Sequence, residues 1–151
     1  MTRRPASFRD DNRGTATIEL GLFAPILAAM LIGLIDLSTA YSDKLFLEQV
    51  AQRMVERIQQ TGFSPSMEAA LETEAAAAAG EGAAADATYW LECDGVKAAS
   101  FTSGCSNGQV VERYVQLDIS KAYTPIIPAA FTGTDANGVM TLHGIAGIRF
   151  Q

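Results

Sequence analysis

Residues 13–41 read RGTATIELGLFAPILAAMLIGLIDLSTAY. An apolar run, Leu20–Leu37, starts directly after one carboxylate, Glu19, and contains another, Asp36, near its end. A charged side chain at the centre of a bilayer costs at least about 2.5–3.5 kcal/mol. A carboxylate kept beside such a run therefore needs a physical reason. As a helix, segment 15–41 extends about 40 Å at about 1.5 Å per residue. Its apolar part is near the lower length limit for a membrane span.

The flanks of this segment are asymmetric. Arg3, Arg4, Arg9 and Arg13 precede it, while Asp36, Asp43 and a single lysine, Lys44, lie at or just beyond its far end. The positive-inside rule then places the N-terminus in the cytoplasm and the rest of the chain outside. The whole chain has a formal charge of -6. Residues 1–14 contribute four arginines against two aspartates, so the remainder, seven basic against fifteen acidic residues, is strongly negative. An acidic body is unsuited to a nucleic-acid partner, which requires a basic surface to meet phosphates. A basic head and an acidic exported body fit a single-pass protein of the bacterial cytoplasmic membrane, with lipid as a partner.

Three readings of the segment compete. A cleaved secretory signal would use Ser38, Thr39 and Ala40 as its small-residue site, but the apolar run is long for a signal and holds Pro25 and Asp36. An unprocessed anchor is the second. Neither accounts for Glu19. The third starts from order: a basic leader, Gly14, four residues, Glu19, then a long apolar helix.

That order resembles the class III signal of type IV prepilins and pseudopilins. The resemblance implies that a prepilin peptidase cuts between Gly14 and Thr15 on the cytoplasmic side. A new α-ammonium at Thr15 could then meet the Glu19 carboxylate of a neighbouring subunit. A charge that is costly alone would specify register once paired, because any other stagger leaves both ions unpaired. The succession Glu19, Pro25, Gly33 and Asp36 further resembles the TadE-like family of pseudopilins and minor pilins of the tight-adherence system, the Flp pilus. Ordinary type IV pilins commonly carry an aromatic residue after the cut, where Thr15 stands here; TadE-like proteins often lack it. The resemblance implies other pseudopilins and an inner-membrane assembly platform as partners, with surface adhesion and biofilm formation downstream.

Within the helix, Pro25 removes a backbone donor and is expected to kink or loosen it near Gly21 and Leu22. Gly21 and Gly33 are either close-approach points for other helices or glycines tolerated in lipid. Asp36 is expected at the outer interface, where a carboxylate stays wet; a packing role is the alternative.

Helical periodicity continues past the span. Leu45, Leu47, Val50, Met54, Val55 and Ile58 recur at three- and four-residue spacing. Gly62 is a natural cap after Gln60. One helix is thus expected over 15–60, with 15–41 in the membrane. Residues 61–151 form an extracytoplasmic head. In it Ser64 or Ser66 is a candidate N-cap, Pro65 suits a first turn, and MEAALETEAAAAA is rich in strong helix formers. The Ala/Gly-rich stretch 80–87 reads as a mobile connector. ATYWLEC, VVERYVQLDIS and GVMTLHGIAGIRF alternate as strands, with Val115, Leu117, Ile119 and Leu142 facing inward. The expected fold class is α+β and pilin-like: a long N-terminal helix, a second helix, and a three-to-four-stranded antiparallel sheet.

Cys93 and Cys105, the only cysteines, read as one disulfide in an exported head. A loop of this length stabilises by about 3 kcal/mol in the entropy model. AYTPIIPAAF, residues 122–131, places Ile126, Ile127 and Phe131 in an apolar loop that is either core cover or a contact patch. His143, the single histidine, falls on the outward side of its strand. There is no Gly-rich phosphate loop, no His–carboxylate pair at useful spacing and no metal-ligand set. No catalysis, cofactor, metal or small-molecule substrate is expected. The chain reads as a non-enzymatic structural or assembly subunit and itself a peptidase substrate. The alternative is an unprocessed membrane-anchored adaptor with a periplasmic interaction head.

Overall fold

The computed structural model describes residues 15–126 and 134–150, with side chains from Ile18 onward. Gly14, Ile127 and Phe131 lie outside the described residues, and Thr15 is described only as backbone. Helix α1 runs Thr15–Thr61; a 3-10 turn at Pro65–Met67 leads into α2, Glu68–Ala79. Four strands follow: β1 Ala83–Cys93, β2 Val96–Lys97, β3 Val111–Tyr123 and β4 Met140–Phe150. They form one antiparallel sheet in the order β2-β1-β3-β4. The architecture is α+β and pilin-like, with both helices packed on one face of the sheet.

Chain chemistry explains the element boundaries. α1 is helical through Pro25, where a missing N–H leaves the carbonyl four residues earlier without its usual donor. It stops because Gly62 adopts φ +80°, a conformation that favours glycine, and donates its N–H to the Ile58 carbonyl at 2.8 Å. Pro65 opens the next turn with its φ already set. Ser64 flanks that turn, but its hydroxyl bonds to that of Ser66 at 2.9 Å and caps no backbone N–H. Gly80, at φ +94°, ends α2.

Alternation along the strands decides which side chains enter the core. On β3, Val115, Leu117 and Ile119 are buried between partly exposed neighbours. α1 contributes Leu47, Val50, Ala51 and Val55, and α2 contributes Ala75 and Ala79. Leu45 departs from the expected stripe and is exposed. It is two residues, about 200° of helical turn, from Leu47 and so points away from the sheet.

The connector expected over 80–87 is corrected. Only Gly80–Gly82 form a turn, and β1 begins at Ala83. Ala83, Ala85 and Ala87 pair with Lys121, Ile119 and Leu117. Alanine is a poor strand former by propensity, but its small side chain lets the alanines of α2 pack closely on the sheet. The Glu72 carboxylate from α2 accepts the Ala87 N–H at 2.9 Å, covering a backbone donor beyond the short edge strand β2.

α1 and β4 approach each other closely at Gly144. A Cβ built on Gly144 would lie 2.3 Å from the Leu47 carbonyl carbon and 2.5 Å from the Glu48 nitrogen. Glycine at this position lets the helix backbone rest on the strand. Gly144 meets Leu47 and Phe150 meets Phe63, so β4 runs in the same direction as α1. β3 runs back and carries Tyr123 to the level of Asp36. The head therefore has a distal end at Phe63 and a proximal end at Asp36.

Candidate functional site

From Ile18 to Ile35, α1 buries no side chain within the chain. Leu22, Phe23, Ile32 and Ile35, which fall on different sides of the helix, are all exposed. A Cβ added at Gly21 or Gly33 would meet nothing within 4 Å. This part of α1 is long and apolar enough to cross a membrane, and an all-round apolar surface suits lipid or other helices. Glu19 is exposed at its start, one helical turn from Thr15 and on the same face.

The first partner from the head appears at Asp36, which is buried with 8% exposure. This corrects the expectation of a wet interfacial carboxylate. The Tyr123 hydroxyl donates to the Asp36 carboxylate and lies 3.1 Å from the Asp36 carbonyl oxygen. The Ile126 N–H donates to Asp36 Oδ2 at 3.0 Å. A carboxylate at the edge of an apolar run is thus solvated by the protein, because donors to the charged group substitute for water. Tyr123 ionises with difficulty here: its hydrogen bond to Asp36, its burial and the negative charges of Asp36 and Asp43 push its pKa up to about 12. No local signal pairs positions 36 and 123. The contact exists because β3 ends at the level where the head begins.

Around this contact the chain alternates wet and dry. Pro125 is buried, whereas Ile126 is 64% exposed. Of the three apolar loop residues, Ile126 is therefore surface, and the other two lie outside the described residues. Just above, the Thr39 hydroxyl donates to the Ile35 carbonyl and the Ser42 hydroxyl to the Ser38 carbonyl, each at 2.9 Å. Both hydroxyls are satisfied within the helix without water.

At the distal end Cys93 and Cys105 form the disulfide, with Cα atoms 5.6 Å apart. The loop it closes carries Phe101 into an aromatic cluster with Phe63, Tyr89 and Phe150, at centroid distances of 5.2–6.4 Å. The Arg113 guanidinium lies 5.9 Å from the Phe101 ring centroid. Asp94, at φ +51°, and Gly95, at φ +77°, turn the chain into β2.

Sequence reasoning missed the outer face of the sheet. Register aligns Trp90, Tyr114 and Arg149 in one row. Trp90 and Tyr114 stack at 5.1 Å with Lys97 over the indole, and Glu112 accepts from Tyr114 and Arg149. Burial, followed by the nearby Glu112 and Glu92 charges, raises the Tyr114 pKa. Alternation places each of these residues outward, but the row exists only once the strands are in register. On the same face His143 Nδ1 lies 3.0 Å from Asp118 Oδ1. Among the described residues no three His, Cys, Asp or Glu side chains gather as a metal site would.

Residues 14–54 match the family model described as TadE-like protein. No curated protein and no solved structure matches the chain. The family match begins at Gly14, covers the whole exposed apolar helix and stops at Met54, inside the part of α1 that packs on the head. The matched segment is similar to TadE-like proteins, and the helix that carries it is long and apolar enough to cross a membrane.

Proposed function

We propose that the chain is a minor pilin of a tight-adherence pilus system, inserted in the bacterial inner membrane with its N-terminus cytoplasmic. A prepilin peptidase cuts after Gly14, and the processed subunit enters the pilus or its assembly complex alongside other pseudopilins and the assembly platform. Surface adhesion and biofilm formation follow from that assembly. The observation that carries this reading is Glu19, exposed at the start of a helix half that buries no side chain among the described residues. In lipid such a carboxylate is a liability. Beside the Thr15 ammonium of a neighbour it becomes a register key, with the apolar faces around it supplying packing.

The test is substitution at Glu19. Glu19→Leu makes the helix more apolar, so membrane insertion is retained. If the charge specifies register, the variant accumulates in the membrane but is depleted from the sheared pilus fraction or from crosslinked complexes with the other subunits. Incorporation equal to the parent would refute the pairing role.

A further inference from the structure

We infer that the proximal end of the head docks on the outer leaflet of the bilayer, with the exposed Ile126 side chain in the lipid at the depth of Asp36. This rests on the reading of α1 as a membrane anchor. Ile18 to Asp36 is about 27 Å of rise at about 1.5 Å per residue, just short of the hydrocarbon thickness of about 30 Å. Asp36 therefore sits at the outer edge of the hydrocarbon layer, and exposed Leu34, Ile35 and Leu37 surround it. Ile126 cannot be at a different level, because its N–H is 3.0 Å from Asp36 Oδ2. Its side chain is 64% exposed and so continues the apolar surface of the helix out onto the head.

The surrounding groups fit an interfacial position. The Asp36 carboxylate is enclosed by protein donors and does not need water at that depth. The Thr39 and Ser42 hydroxyls bond back to the helix. Tyr41, exposed, and Tyr123, half-buried, lie where tyrosines concentrate at membrane surfaces. Asp43 and Lys44 follow at headgroup level. The bilayer thus meets two elements of the protein, a helix and a rim of the head, which fixes the tilt of the head as a single helix could not.

The test is a spin label at Ile126→Cys in the full-length protein reconstituted in phosphatidylethanolamine/phosphatidylglycerol vesicles. The substitution keeps the backbone N–H that bonds Asp36. Labels at Leu27→Cys and Val96→Cys mark the span and the distal end. The expected result is a ratio of oxygen to nickel-chelate collision for residue 126 that approaches that of residue 27 and exceeds that of residue 96 several-fold. An aqueous ratio at 126 with a lipid ratio at 27 overturns the docking and leaves the anchor standing. A label at 126 shielded from both reagents means a protein partner, and overturns the lipid assignment. An aqueous ratio at 27 overturns the anchor itself. A second readout is Ile126→Trp in a Trp90→Phe background: brominated lipids should quench it, and absence of quenching contradicts the proposal.

Discussion

One helix meets two environments. Between Ile18 and Ile35 none of its side chains is buried, although most are apolar. Between Leu47 and Ile58 it is mixed in composition, yet Leu47, Val50, Ala51, Val55 and Ile58 are buried against the head. The difference is one of arrangement. In the first half apolar residues run all round the helix, so no single face can be satisfied by one sheet. In the second they keep to one stripe at three- and four-residue spacing, which a sheet can cover. Asp36 marks the join, as the first buried side chain along the described helix. The upper half holds the head, and on the function proposed above the lower half is left for lipid and for other subunits.

Glycine exposes this contrast most sharply. Gly144→Ala forces a Cβ into the α1 backbone at Leu47 and Glu48. Its cost should exceed the roughly 1–3 kcal/mol usual for overpacking, and the head should fail to give a cooperative melt in detergent. Gly33→Ala, with nothing within 4 Å, should leave the melt unchanged. Equal effects at the two sites would break the division of the helix.

Leucine gives the next largest difference. Leu117 is fully buried and Leu27 is 54% exposed. Leu117→Ala should cost about 2–5 kcal/mol in denaturant titration of the head, while Leu27→Ala should be silent there. The disulfide sharpens the comparison from the distal end. Replacing Cys93 and Cys105 by serine should lower head stability by about 3 kcal/mol and loosen Phe101 in near-UV circular dichroism, without altering membrane insertion.

The smallest effect is at the join and is read by pH. Tyr123 has its pKa raised to about 12, above its usual 10.0. The folded state therefore holds this proton more tightly than the unfolded state. The stability it contributes is full below about pH 10 and is lost as pH rises toward 12. Tyr123→Phe should remove that part of the alkaline decline, with the remaining tyrosines unaffected. An alkaline profile identical to that of the parent would show that the Asp36 contact does not couple helix to head.

How much of this was legible in the sequence depends on the range of the interaction. The helix, its end at Gly62, the inward strand residues and the cysteine pair are set by local periodicity, by glycine conformation and by the count of two thiols. Ala83–Ala87 were misread because alanine composition suggests a loose linker, whereas their role is to be small beneath α2. Asp36 is buried and not wet because its partners, Tyr123 and Ile126, arrive from the far end of β3. The Trp90, Tyr114 and Arg149 row likewise required strand register, which alternation alone does not define. The closeness of Gly144 to Leu47 had no sequence signal beyond a glycine in a strand.

On the function proposed above, the lower half of α1 serves assembly, beginning at a processed end beside Glu19. The direct test is the intact mass of the protein purified from its own membranes. The expected result is a chain that begins at Thr15. A mass corresponding to a start at Met1 or Thr2 would contradict processing and leave an unprocessed anchor, and a start at Tyr41 would mean that the helix was removed as a signal.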